Sequence, residues 1–432
     1  MRNGTVHVVG AGLAGLSAAT ALAEQGRRVS LYESATFPGG RCRSYFDQGL
    51  SATIDNGNHL ILSGNQAAMA YVDRIGARDH LVGPDRAAFD FVDLKSGERW
   101  RIEPNEGLVP WWIFDKARRV PGTGWSDYLE LLRVQFGRRA VAVRDVLTCH
   151  GTIYERLWQP LLQAALNTEP PAASAQLARA VVAQTLLRGG AACRPLAAQA
   201  GLSTALIDPA IAFLERHGAS IQFASRLQSM AYEGDRAVGL IFAKQTVPVE
   251  PHDSVVLAVP ALVAAQIFPD LKVPQEHRAI VNGHFKIAPP RTMPAILGVI
   301  GGQAEWIFAY PDRISTTTSS ADHLLDQPRE ELARRLWADI QVAAGFSADM
   351  PPWQIVKEKR ATFAALPQEE ARRPPAHTRW SNVLLAGDYT ATGLPATIEG
   401  AIRSGVTAAG LVAGSSARRS FSSRRSKEAS GT

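Results

Sequence analysis

At 432 residues, 46% of them hydrophobic and 20% charged, the chain is too long for one ordinary core, and two or three domains are expected. Its formal charge of +6 is concentrated at the end, where Arg418, Arg419, Arg424, Arg425 and Lys427 face Glu428 alone, so the body is nearly neutral and nucleic acid is not the expected partner. Cys42, Cys149 and Cys193 show no C-x-x-C spacing, which excludes a disulfide framework; with no secretion signal and no bilayer-spanning apolar run, a cytoplasmic protein is expected, peripheral at most on the inner membrane.

The first elements read as strand, glycine turn and helix. Val6, Val8 and Val9 precede Gly10, Gly12 and Gly15, spaced G-x-G-x-x-G, and Leu13, Leu16, Ala19 and Leu22 follow at helical spacing, with Ala14 in the first turn. Gly10 permits the tight turn, Gly12 lets backbone approach a pyrophosphate, and Gly15 lets helix pack on strand. Glu33, at the end of the next strand, is placed to accept hydrogen bonds from an adenosine ribose. This context points to an α/β, Rossmann-like dinucleotide-binding fold.

A second glycine turn, Pro38, Gly39 and Gly40, is followed by Arg41 and Arg43. Backbone that can approach closely, beside a guanidinium, suits an anion, and such a turn has a use in extended FAD more than in a nicotinamide dinucleotide. In IDNGNHLIL, Ile54 to Leu62, Gly57 is a second place where backbone could approach a planar ring.

Residues 66–187 read as mostly helical, with apolar spacing through Tyr128 to Val134 and Tyr154 to Leu166 and a break at Asn167 to Pro171. Within them Trp111, Trp112, Ile113 and Phe114 lie beside Lys116, Arg118 and Arg119, the makeup of a bilayer-interface segment and equally of an apolar tunnel. From Pro195 the nucleotide-domain grammar returns. Asp208 reads as an N-cap before a helix ending at Gly218, and strands are expected at Ser220 to Phe223, Gln228 to Tyr232 and Ser254 to Val259. A second inserted block offers strands at Ile280 to Ile287, Ala295 to Ile300 and Trp306 to Tyr310, then a helix from Glu330 to Ala344. The last strand, Val383 to Ala386, ends in Gly387 and Asp388, and a helix begins near Ile398, whose amides suit an electron-rich ring edge.

Taken together, GAGLAG, LYE, GGRCRS, DNGNH and LAGDYTATGLPATIEGAIRSG resemble the flavin amine oxidase and phytoene desaturase superfamily. IDNGNHLIL, ALNTEPPAAS, DPAIAFLERHGA, VVLAVP and GLPATIEGA resemble, within it, the squalene-associated FAD-dependent desaturases of bacterial hopanoid synthesis, understood as hydroxysqualene dehydroxylases. The resemblance implies a GR2-type FAD-binding domain from 1–65, 195–260 and 380–413 and an α+β substrate domain from 66–194 and 261–379; the basic tail at 414–432 lies outside it and, being rich in Ser, Arg and Gly, is expected to be disordered. The resemblance also implies noncovalent FAD with Gly10, Gly12, Ala14 and Gly15 at the pyrophosphate and Glu33 at the ribose. Gly40 and Arg41 would lie by the phosphates or flavin, Gly57 and Asn58 near the isoalloxazine, Leu227 at adenine, Gly387 and Asp388 at the ribityl phosphate, and Ile398 at the N1/O2 side. No metal is implied.

The implied reaction is reductive: hydroxysqualene ionises at its allylic alcohol, hydride arrives from reduced flavin N5, and squalene and water leave. An acid is needed for the hydroxyl, and His59 and Asp55 are the candidates because they flank the loop expected near the flavin; the simpler roles, His59 bonding the loop and Asp55 capping it, weigh more. The apolar isoprenoid implies peripheral membrane contact, and the electron donor is a separate partner the sequence does not name. A carotenoid-type desaturase would run the flavin in the opposite direction, an amine oxidase could use Lys286 near N5, and a prenyl-binding escort would lack the intact fingerprint.

Overall fold

The computed structural model describes residues 4–138 and 140–429, the stretch 415–429 by backbone alone. A five-stranded parallel sheet runs in the order Ser220–Gln222, Arg28–Tyr32, Thr5–Val9, Ser254–Leu257, Val383–Leu385. Its strands are apolar on both faces because both faces are covered. Val6, Val8, Val256 and Leu384 pack into a helical layer, whereas Val9, Val255, Leu257, Val383 and Leu385 turn to an antiparallel sheet of Leu227–Glu233, Arg236–Phe242 and Thr246–Pro248. The alternation follows from the two-residue period of a strand.

The helix Leu13–Glu24 is buried almost all round, as an alanine-rich helix must be when it lies between a sheet and further helices. Its neighbour is the helix Ile398–Ala429. Ser17 Oγ donates to the Ile402 carbonyl at 2.9 Å, and a Cβ on Gly405 would stand 2.2 Å from the Ala14 carbonyl oxygen. The two ends of the chain therefore meet backbone to backbone. Glu399, one residue into the later helix, accepts from the Ala67 and Ala68 amides at 3.1 and 2.8 Å and pairs with Arg403 at 2.8 Å. A carboxylate at the start of the helix Gln66–Ile75 satisfies amides that have no partner within that helix and meets the positive end of its dipole.

The second region is a seven-stranded mixed sheet in the order Trp353–Phe363, His277–Phe285, Ile314–Thr318, Trp306–Ala309, Ile296–Ile300, Phe89–Asp93, Arg99–Ile102. One face packs on the helix Arg329–Ala344 through Phe285, Ile307 and Leu336. The other, through Phe91, Trp306, Phe308 and Tyr310, packs on helical turns between residues 111 and 187.

Several expectations need correction. Residues 66–187 are not simply helical: Phe89–Asp93 and Arg99–Ile102 complete the large sheet, joined in parallel to Ile296–Ile300. Asp208 does not cap a helix; the π-helical turn Ser203–Ile207 runs straight into Asp208–Arg216, and the residue before the latter, Ile207, is itself helical. The backbone of 414–429 is drawn as a continuation of the helix Ile398–Ala429; residues 430–432 lie outside the described residues.

Gly405→Ala is predicted to force the two helices apart and to cost about 1–3 kcal/mol, the usual cost of overpacking, read as a lower urea midpoint at unchanged slope.

Candidate functional site

Two glycine turns lie side by side at the C-terminal edge of the parallel sheet. Gly10 has φ +108°, donates to the Tyr32 carbonyl at 2.7 Å, and a Cβ there would lie 2.4 Å from the Ala258 oxygen; Gly15 has room for none, its β position being 1.8 Å from the Gly10 oxygen. Packing alone explains these two. Gly12 is different: its β position meets nothing within 4 Å. The second turn is tied to the first by Gly39 N–H donating to the Ala11 carbonyl at 2.8 Å, and the β position of Gly40 meets only the Gly12 Cα at 3.6 Å. Gly12 and Gly40 thus line one cradle; the left-handed backbone of Gly40, φ +57°, accounts for glycine there, whereas neither backbone nor packing requires it at Gly12. A dinucleotide pyrophosphate against the first turn of the helix Leu13–Glu24 fits that cradle.

At the ribose end, Glu33 is held rather than free. Oε2 accepts from the Ala11 amide and Oε1 from the Ala35 amide, both at 2.8 Å, which aims the carboxylate along the glycine turn. Leu227 is brought to the same end, because the Ser225 amide donates to the Glu33 carbonyl at 2.7 Å and the strand Leu227–Glu233 starts two residues later.

Arg41 and Asp388, 347 residues apart, form an ion pair at 2.8 Å. Asp388 raises the guanidinium pKa further, the largest influence on it, and the second arm of Arg41 donates to the Ala361 carbonyl at 2.6 Å. The Asp388 loop is itself built around Arg373, which sequence reasoning missed. This buried cation donates to Glu370 Oε2 at 2.6 Å, the Asp388 carbonyl at 3.0 Å, Thr392 Oγ1 at 2.9 Å and the Thr390 carbonyl. Nothing local marks Arg373 in the sequence; its acceptors arrive from beyond the last strand. Gly387 donates to Ser404 Oγ at 2.8 Å, while a Cβ on it would strike the Tyr389 ring at 2.4 Å. Ile398 is the first, buried residue of the final helix.

The loop after the strand Ala52–Asp55 divides the predicted residues. Asn58 is buried and turned into the large sheet, donating to the Thr316 carbonyl and Thr317 Oγ1 at 3.1 Å each and accepting from Tyr310 Oη at 3.3 Å. Asp55 is held in place: its Oδ1 accepts from Ser44 Oγ at 2.5 Å and the Leu202 amide at 2.8 Å, which ties this loop to the helical turn Ser203–Ile207, and burial raises the pKa of its carboxyl. For His59 burial, then the charge of Arg41, pushes the pKa down to about 4. His284, buried and bonded to Ser315 Oγ at 2.8 Å, is pushed down to about 3, mainly by burial. Both rings are neutral at pH 7. Glu305 goes the other way, raised by burial to about 7 while accepting from Gln163 Nε2 and the Ser319 amide. Cys42, next to Arg41, is pushed up to about 12 by burial and stays a thiol.

Comparison with known proteins agrees with this geometry. The family model of flavin-containing amine oxidoreductases matches residues 13–413. A hydroxysqualene dehydroxylase of Rhodopseudomonas palustris is 53% identical, with 94% of this chain and 98% of that protein covered. One from Sinorhizobium fredii is 50% identical, with 94% and 97% covered. Among solved structures, an oxidoreductase from Methanosarcina mazei superposes with a TM-score of 0.70 at 14% identity, covering 93% of this chain and 99% of that one, a likeness of fold.

The cradle separates two glycine substitutions. Gly10→Ala should lower stability by more than about 1 kcal/mol through its positive φ and close contact, whereas Gly12→Ala should leave the cofactor-free protein within about 0.5 kcal/mol of wild type. Titration with FAD should nonetheless show Gly12→Ala binding at least about tenfold more weakly, equivalent to about 1.4 kcal/mol.

Proposed function

Because the chain belongs to the flavin-containing amine oxidoreductases and, within them, to the hydroxysqualene dehydroxylases, we propose that it binds FAD and reduces hydroxysqualene to squalene. The observation that carries this reading is near-full-length identity of about half to proteins of that name, joined to an open β position at Gly12 that the protein's own packing leaves unfilled.

In the balanced reaction the allylic C–O bond breaks, the hydroxyl leaves as water with a proton drawn from solvent, and a hydride from a two-electron reductant closes the carbon. Reduced FAD, when bound, supplies the hydride. The chain's residues supply the rest: Gly12, Ala14, Gly40 and Arg41 hold the pyrophosphate, Glu33 and Leu227 the adenosine, and Gly387, Asp388 and Ile398 the ribityl and ring end. Gly57 and Asn58 border the ring. A carbocation needs surroundings without competing nucleophiles, and the Cys42 thiol, pushed up to about 12 by burial, stays protonated instead of forming a thiolate. His59 then acts as a neutral hydrogen-bonding group toward the leaving hydroxyl, with Asp55 positioning its loop.

An amine oxidase reading ranks second. Lys286, the lysine it would use, lies just past the strand His277–Phe285, pairs with Asp312 at 2.5 Å and is a third exposed, as a surface lysine would be.

The apolar substrate bears on where the protein works. No helix among the described residues is long and apolar enough to cross a membrane. One segment nonetheless shows much of the exposed apolar surface: Leu108, Trp111, Phe114, Trp125 and Phe136 are 72, 67, 54, 49 and 77% exposed. The Phe114 ring is 6.2 Å from Trp111 and 5.8 Å from Trp125, and Lys116 is exposed in the same turn. Trp112, by contrast, is buried edge-on against Tyr128 at 5.1 Å and opens an apolar cluster that continues through Trp158 and Phe308 to Tyr310 and Phe363. Aromatic rings with a flanking cation suit the headgroup boundary of a bilayer, and the cluster beneath leads toward Asn58. We read this face as the peripheral membrane contact.

Two measurements test the reading. Anaerobic incubation with chemically reduced FAD and, in parallel, hydroxysqualene, squalene and an amine should yield squalene from the alcohol alone; dehydrogenated squalene or an aldehyde instead would replace it with the desaturase or oxidase reading. Trp111→Ser with Phe114→Ser should reduce co-sedimentation with anionic liposomes by about tenfold at unchanged thermal midpoint, and equal co-sedimentation would remove this face as the contact.

A further inference from the structure

The Asn282 side chain is 1% exposed and lies in the middle of the strand His277–Phe285. Its Oδ1 is surrounded by donors: Thr317 Oγ1 at 2.8 Å, the Asn58 backbone amide at 3.4 Å and Asn58 Nδ2 at 3.4 Å. Its Nδ2 has no hydrogen-bond partner. Turning the amide over would set that NH2 against the N–H groups of Asn58, donor against donor, so the surrounding network fixes which end faces which way. A buried amide donor left unmatched carries a desolvation cost of about 1–3 kcal/mol, and such a group calls for an explanation.

The direction in which Nδ2 points supplies one. The nearest atom to the empty β position of Gly57 is Asn282 Nδ2 at 3.4 Å, and the next is His59 Nε2 at 3.7 Å. Gly57 has no positive φ that would demand glycine, and at those distances an alanine methyl would make ordinary contacts. A gap is thus kept beside Gly57, bounded by an unmatched donor from the large sheet and an imidazole from the loop. Arg41 is close enough to depress the His59 pKa, which sets the gap at the cofactor side of the sheet.

We infer that Asn282 is a further binding residue of the site, its Nδ2–H held ready for a neutral hydrogen-bond acceptor that enters the gap beside Gly57. The inference rests on the FAD-dependent reading above. Two groups bring such an acceptor there, the heteroatom edge of the isoalloxazine ring and the hydroxyl oxygen of the allylic alcohol. Thr317 and Asn58 are positioning residues, since they engage Oδ1 and leave Nδ2 free.

Asn282→Asp is the probe, assayed at a pH where the carboxyl is ionised, because it keeps an oxygen for Thr317 and Asn58 and puts a negatively charged acceptor in place of the donor. Gly57→Ala is its companion, filling the gap with a methyl 3.4 Å from Asn282 Nδ2 while leaving the bonds to Oδ1 in place. Each variant, as purified with FAD, is compared with wild type in thermal midpoint, FAD dissociation constant, flavin absorption spectrum, and kcat and KM for hydroxysqualene. Both should bind the arriving group at least about tenfold more weakly, the loss of about 1.4 kcal/mol. A weaker FAD constant with a shifted flavin spectrum identifies the ring as the acceptor; unchanged flavin properties with a raised KM or lowered kcat identify the alcohol. Wild-type FAD binding, spectrum and kinetics in a folded Asn282→Asp protein would overturn the assignment, and so would wild-type behaviour of Gly57→Ala where Asn282→Asp fails to fold. Wild-type protein that neither retains FAD nor converts the alcohol would count against the functional reading; wild type that does both leaves the variants to judge Asn282 alone.

Discussion

The backbone contact between Ala14 and Gly405 is the constraint on which the rest of the structure depends. A side chain at Gly405 would separate the first helix from the last, and with it the glycine turn from Asp388. Because the last helix starts at Ile398, its position also fixes Glu399, which caps the helix Gln66–Ile75 and so anchors the first inserted block. One close approach therefore sets three things: the cradle at Gly12 and Gly40, the loop carrying Asp388, and the entry into the substrate region. Shape, more than any single strong bond, holds the site together, in keeping with the dependence of protein interiors on close packing.

Charge in the site is arranged in layers. Near the glycine turns Arg41 faces Asp388 while the buried Arg373 gathers carbonyl oxygens from the same loop, so cations shape the backbone there. Toward the large sheet the groups become neutral: His59 and His284 lose their protons to burial, and Asn58, Asn282, Thr317 and Tyr310 form an uncharged network. Anion binding at one end and an uncharged, largely apolar region at the other suit a cofactor with a pyrophosphate tail and a substrate that passes through a cation.

The cofactor half of this arrangement was legible in the sequence because its chemistry depends on local spacing. Gly10, Gly12, Gly15 and Glu33 sit within one strand–turn–helix–strand unit, and Gly39 to Arg41 follow directly. The substrate half was not, for a physical reason: Asn282 and Tyr310 meet Asn58 from more than 200 residues away, and no period or motif marks an asparagine whose donor is left over, just as none marks Arg373, whose acceptors in the Asp388 loop lie 15 to 19 residues on. The strands Phe89–Asp93 and Arg99–Ile102 escaped because they are short; they pair with each other as a hairpin, and only the first finds a further partner, some 200 residues later. Asp55 and His59 were singled out correctly as neighbours of the loop, but burial and hydrogen bonding, which decide their protonation and roles, are tertiary properties. Trp111 and Trp112 look alike in sequence; the 3-10 turn Trp111–Phe114 sends one outward and the other into the core.

The central claim is that the two ends of the chain build one cofactor site. It is tested most directly by a double-mutant cycle on FAD affinity, measured for wild type, Arg41→Gln, Asp388→Asn and the double variant at fixed ionic strength. Coupled losses, with the double variant binding about as weakly as the poorer single variant, are predicted for residues that act on the cofactor as a unit. Wild-type affinity in both single variants, or losses that simply add in the double one, would contradict it.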